Sequence, residues 1–125
     1  MAERLQLHHE RLSKQVIEAF YEVYNTLGPG FLESVHQQSM LHELTRRDIE
    51  ASPEHALEVV FKGAVVGQYR ADIVVQKLLI LECKAVNKLT PSHEAQLLHY
   101  LKATRLRAGL LLNFGPRPTF KRRIV

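Results

Sequence analysis

Three charged residues stand where aliphatic ones are expected: Asp72, Glu82 and Lys84, within the stretch YRADIVVQKLLILECK from Tyr69 to Lys84. Ile73, Val74, Val75, Leu79, Ile80 and Leu81 between them read as two apolar strands. An ionised side chain is rarely buried in such strands without a partner or a metal. Residues two apart in a strand share a face, so Glu82 and Lys84 are neighbours. A hairpin centred on Lys77 sets Asp72 opposite Glu82, each five residues from the centre. Directly opposed residues have Cβ atoms about 4.5–5.5 Å apart, so two carboxylates and one ammonium converge. Two chemistries suit that group. Paired carboxylates on rigid strands share a hard cation such as Mg²⁺, which prefers oxygen ligands and keeps waters for a substrate phosphate. Such a cation makes phosphodiester hydrolysis feasible near neutral pH, with Lys84 orienting the attacking water or stabilising the developing anion. The other chemistry is a structural salt bridge from Lys84 to Glu82 or Asp72 at a sheet edge. Spacing alone leaves both open.

The elements that must position these residues follow from the flanking sequence. Leu12, Val16, Phe20, Val23 and Leu27 recur at helical spacing and predict a helix over 10–27, ended by Gly28-Pro29-Gly30. Phe31, Leu32, Val35, Leu41 and Leu44 predict a second helix to Arg47, with Glu33 in its first turn. Strands are expected over 56–61, 65–66 with 69–76, and 79–86, punctuated by Lys62-Gly63 and Gly67. Asn87-Lys88-Leu89 reads as loop. Thr90 and Pro91 then suit the N-cap and first position of a helix to Ala103. A buried strand over 107–114 completes a strand–helix–strand unit, which predicts parallel pairing with 79–86. The fold class is α/β, in the order α-α-β-β-β-α-β, with a mixed sheet flanked by helices. Residues 1–125 read as a single domain, with 1–10 and 115–125 as loose ends, although the tail GPRPTFKRRIV also allows a last edge element.

Composition narrows the functional classes. The chain is 46% hydrophobic and 24% charged, ordinary for a soluble globular domain. Its apolar runs fall far short of the about 20 residues that span a bilayer, and its N-terminus has no apolar signal region. Cys83 is the only cysteine, which excludes internal disulfides and cysteine-built metal clusters and fits a cytoplasmic location. The net charge of +4 is unevenly spread: residues 1–62 carry six Lys/Arg against ten Asp/Glu, and residues 63–125 carry eleven against three. The basic half holds the charged hairpin and suits a phosphate-binding surface as well as a merely solvated face. The histidines His8, His9, His42 and His55 have no zinc-ligand spacing.

Asp72 followed after nine residues by Glu82-Cys83-Lys84 resembles the D…ExK core of the PD-(D/E)xK nuclease superfamily. GPGFLESVH at 28–36, RADIVVQKLLILECKAV and HEAQLLHYLKAT at 93–104 resemble the small GxxExxY proteins of that superfamily. The resemblance implies a restriction-endonuclease-like core and a Mg²⁺- or Mn²⁺-dependent nuclease acting on nucleic acid, DNA above all. It places Asp72, Glu82 and the backbone carbonyl of Cys83 on the metal, with Glu33 joining them directly or through water, and makes Lys84 the superfamily lysine. Gln96 and Tyr100 match the QxxxY motif of the RecB-like branch. His93, Gln96 and Tyr100 also share one helical face by spacing alone. His36, His93 and Lys88 are expected to bind substrate. His36 stands where the family motif has tyrosine, and could equally hydrogen-bond within the site or fill the tyrosine's space. Ala71 replaces the motif proline. A nuclease-fold module that binds nucleic acid or a protein partner without turnover is the alternative, and a homodimer is compatible with either.

Overall fold

Leu12, Val16, Phe20 and Val23 are all buried along α1 (Ala2–Leu27), as their helical spacing requires. The computed structural model describes residues 2–125. α1 reaches back to Ala2, so the segment 1–10, read as a loose end, is helical as far as it is described. Ala, Glu, Arg, Leu and Gln there are good helix formers, which carry the helix beyond its buried face. Gly28, at φ +72°, closes it by donating to the Tyr24 carbonyl at 2.7 Å.

α2 (Glu33–Arg46) buries His36, Met40 and Leu44, four residues apart each time. This corrects the expected face: Phe31, Leu32 and Val35 are exposed, Leu32 at 77%. The expected α3 start is present in α3 (Pro91–Thr104), where Thr90 and His93 form a reciprocal capping box.

Five strands form one sheet in the order of the chain: β1 (Ala51–Phe61), β2 (Ala64–Val75), β3 (Leu79–Lys84), β4 (Ala108–Asn113) and β5 (Thr119–Ile124). Only β3 and β4 are parallel, joined through α3 as the strand–helix–strand unit requires. β2 and β3 pair Ile73 with Leu81, Val74 with Ile80 and Val75 with Leu79, the register of a hairpin centred on Lys77. Of the two readings of 115–125, loose end or last edge element, β5 bears out the second, since Thr119 to Ile124 pair along β4 at the sheet edge. Beyond the β3 ladder the β1–β2 ribbon continues alone and leaves Val60, Phe61, Val65 and Val66 exposed.

The sheet separates two apolar layers. Ile73, Val75, Leu79, Leu81, Cys83, Leu110 and Leu112 pack against α1 and α2, whereas Val74, Ile80 and Leu111 pack against Leu97 and Leu101 of α3. Alternation along β3 therefore turns Glu82 and Lys84 toward α3. Among the described residues no helix is long and apolar enough to cross a membrane.

Candidate functional site

Asp72 sits where β2 runs past the end of its ladder with β3. The β2–β3 ladder stops at Ile73–Leu81. On the other side, Pro53 pairs with Ile73 and His55 with Ala71, but the intervening Glu54 and Asp72 do not pair, and Glu54 has φ +44°. Strict alternation from Val74 would turn Ala71 and Tyr69 toward α1 and α2. Both instead pack in the α3 layer, so alternation breaks at Asp72. The break frees the Cys83 N–H from the ladder, and it donates to Asp72 Oδ2 at 2.8 Å. From α2, Gln37 donates to the Asp72 backbone carbonyl at 3.1 Å.

On the α3 face, Glu82, Lys84, His93, Gln96 and Tyr100 line one small cavity of about 100 Å³, together with Tyr69, Leu97 and Leu111. Tyr69 donates its hydroxyl to Glu82 Oε1. Its ring lies flat on that of Tyr100, with centroids 3.5 Å apart and planes 6° from parallel. Gln96 donates to the Tyr100 hydroxyl at 3.3 Å. His93 lines the cavity while its Nδ1 accepts from the Thr90 N–H at 3.1 Å, so its ring is engaged in capping α3.

Burial and neighbouring negative charge disfavour the ionised form of both carboxylates. Burial pushes the Glu82 carboxyl up from 4.5 to about 7, the Asp72 charge adds to this, and the Tyr69 hydroxyl and Lys84 oppose it. Asp72 is raised by burial and by Glu54, against the pull of the Cys83 N–H and Lys84. Burial and the Glu82 charge raise the Tyr69 phenol, which therefore stays a donor. Lys84 makes no ion pair with either carboxylate among the described residues.

This donor set fits a hard cation. Among the described residues no three His, Cys, Asp or Glu side chains converge, but Mg²⁺ takes one or two carboxylates and keeps waters. Asp72 and Glu82 supply two carboxylates. A strand residue's N–H and C=O point to the same side, so the Cys83 carbonyl opens on the side where its N–H meets Asp72. Glu33 lies one turn before Gln37 on α2, and its charge helps to raise the Cys83 thiol, after burial, Asp72 and Glu82. Glu33 does not line the cavity that holds Glu82 and Lys84.

The raised Glu82 carboxyl gives a pH prediction. Between about 4.5 and about 7 the folded state holds a proton that the unfolded state has lost. Folding stability in EDTA should then fall as pH rises through that window, by about 1–3 kcal/mol. Denaturant titrations of wild type and Glu82→Gln check this: the variant should lack that decline.

Two expected residues lie elsewhere. His36, expected to bind substrate, is fully buried: its Nε2 bonds the Gly28 carbonyl at 3.0 Å and its ring stacks on Phe114 with centroids 4.3 Å apart. It fills space under the Gly28 turn and is closed to substrate. His36→Ala should cost about 2–4 kcal/mol in a denaturant titration, with metal affinity of the folded fraction unchanged. Lys88 is exposed in the β3–α3 loop and does not line the cavity. Conversely, Gln37 and Tyr69 were not expected. Helical spacing four residues after Glu33 points to Gln37, whereas the alternation break conceals Tyr69.

A family model described as the PD-(D/E)XK nuclease superfamily matches residues 10–124. Among solved structures, the "Crystal structure of SSO0001" superposes with a TM-score of 0.58 at 23% identity. The match covers 73% of this chain and 48% of that one, so the chain spans about half the length of its structural neighbour. This likeness bears out the restriction-endonuclease-like α/β fold. Among curated proteins, none matches the sequence significantly.

Proposed function

Because this chain belongs to the PD-(D/E)XK nuclease superfamily, we propose that it is a Mg²⁺- or Mn²⁺-dependent nuclease that hydrolyses phosphodiester bonds, in DNA above all. The observation that carries this reading is the grouping of Glu82 and Lys84 with Asp72 at the break in β2, two proton-hungry carboxylates with an unbridged lysine between strand and helix. A salt bridge holding Lys84 would have argued for a purely structural role.

Asp72, Glu82 and the Cys83 carbonyl would hold the cation, and Glu33 would join them directly or through water. The cation supplies charge stabilisation at the phosphate and favours ionisation of water. Lys84 orients the attacking water and stabilises charge on the phosphoryl oxygen as the bond to the leaving sugar oxygen breaks. Gln96 and Tyr100, tied to each other on α3, position the substrate phosphate at the cavity mouth. The basic half, which includes Lys88, draws in the polyanion. Gly30 and Glu33, with the QxxxY pair Gln96 and Tyr100, support a finer placement among GxxExxY proteins of the RecB-like branch, with His36 as a packing replacement for the motif tyrosine.

The test is incubation of the protein with linear, circular and single-stranded DNA and with RNA, in Mg²⁺, Mn²⁺ or EDTA. Cleavage that needs the cation supports the proposal. Binding that survives EDTA without cleavage of any substrate would replace it with a non-catalytic nucleic-acid-binding module.

A further inference from the structure

We infer that Tyr69 is a positioning residue of the metal seat, which aims the Glu82 carboxylate through its hydroxyl and couples it to Tyr100 and Gln96 through its ring. The inference rests on the metal-seat reading above and adds a residue to it. Tyr69 is 9% exposed and comes from β2, only three residues before Asp72. The alternation break at Asp72 is what carries its side chain onto the α3 face, where it meets Glu82. A regular strand would have pointed it to the opposite layer, and Glu82 would then face Tyr100 with no donor between them. The same distortion thus places both Asp72 and the residue that orients its partner carboxylate.

A carboxylate on a strand has free torsions beyond Cβ, and a hydrogen bond to one oxygen fixes which lone pairs remain for a cation. Partners of this kind characteristically tune metal affinity by 10–100-fold. Here the partner is itself clamped. The Tyr69 ring is sandwiched flat against Tyr100, whose hydroxyl is held by Gln96. Glu82, Tyr69, Tyr100 and Gln96 form one connected path from the metal seat to the exposed face of α3. Tyr100 then acts at the site in two ways, through its own hydroxyl and as the surface against which Tyr69 is set.

Tyr69→Phe removes the hydroxyl and keeps the stacked ring, so it separates aiming from packing. Isothermal calorimetry with Mn²⁺ should show about tenfold weaker binding than wild type, and circular dichroism should show an unchanged fold. In cleavage assays the half-saturating Mn²⁺ concentration should rise by a similar factor, with the rate restored at saturating Mn²⁺. The Tyr69→Phe effect on Mn²⁺ affinity should vanish in a Glu82→Ala background, which already lacks the acceptor of the Tyr69 hydroxyl. Should Tyr69→Phe not fold, Tyr100→Leu carries the test, because it leaves the hydroxyl but removes the ring it leans on and should also weaken Mn²⁺ binding. Wild-type Mn²⁺ affinity in the folded variant would overturn this role for Tyr69 and leave the nuclease proposal standing. Failure of the wild-type protein to bind Mn²⁺ at all would overturn both.

Discussion

Asp72→Ala and Lys84→Ala are each expected to lower metal-dependent cleavage by about a hundred- to thousandfold while leaving the protein folded. The magnitude is that of removing one preorganised electrostatic group from a reaction that builds charge on a phosphate. Retention of the fold follows from the environment of the two side chains. Asp72 sits at a break in the ladder, where burial and Glu54 disfavour its charged form, and Lys84 makes no ion pair among the described residues. Lys84 is therefore no strong contributor to stability, and Asp72 contributes chiefly as the acceptor of the Cys83 N–H, worth about 1–2 kcal/mol. Relief of the disfavoured Asp72 charge offsets part of the lost Cys83 N–H bond, so Asp72→Ala should lower the unfolding free energy of the metal-free protein by no more than about 1–2 kcal/mol. Single-turnover cleavage beside denaturant titration in EDTA reads both effects. Cleavage by either variant at the wild-type rate would exclude these residues from the chemistry, and a folding loss matching the activity loss would return them to a structural role.

What the sequence made legible depended on where periodic rules hold. The β2–β3 register follows from a turn at Lys77 and from continuous apolar residues on both sides, and the structure keeps it. Thr90 and Pro91 are local helix-start signals and need no tertiary information. Tyr69 was illegible because a period-two argument fails once the strand leaves its ladder, and the break at Asp72 is marked by backbone geometry at Glu54, on a different strand. His36 was left open between substrate contact and space-filling for a different reason. A histidine can be fully buried when one ring nitrogen reaches a carbonyl and the ring stacks, and both partners, Gly28 and Phe114, are set by the tertiary fold. β5 was legible only as one of two alternatives, because Lys121, Arg122 and Arg123 are unusual for an inner strand but suit an edge, where charge discourages further pairing. Asp72, Glu82 and Lys84, the residues of the proposed metal seat, were visible because buried charge is conspicuous. Their supporting residues look like ordinary polar and aromatic side chains.

Gly115→Ala should destabilise the protein by about 3 kcal/mol and impair cleavage by the fraction that remains folded. Gly115 follows Phe114 at the end of β4, where the chain leaving β3 passes directly over it. A Cβ there would collide with the Val86 carbonyl, which is backbone and cannot swing aside. Neither segment is free to retreat. The Asn113 amide binds the Val86 N–H at 3.0 Å and the Val86 carbonyl at 2.9 Å, and it also accepts from the Gly115 N–H at 3.1 Å. Tyr24 of α1 donates to the Gly115 carbonyl at 2.7 Å, and the Phe114 N–H donates to the Lys84 carbonyl at 2.7 Å. Relief of the collision must therefore break part of this network or displace the strand end that carries Lys84, which links a packing contact to the proposed chemistry. Gly67→Ala is the matched control, since a Cβ there meets nothing within 4 Å and should change stability by no more than about 0.5 kcal/mol. Denaturant titrations of the two variants, with cleavage measured per folded molecule, decide the matter: equal stabilities would show that the β3 exit yields freely, and a stability loss with cleavage intact would uncouple Lys84 from this junction.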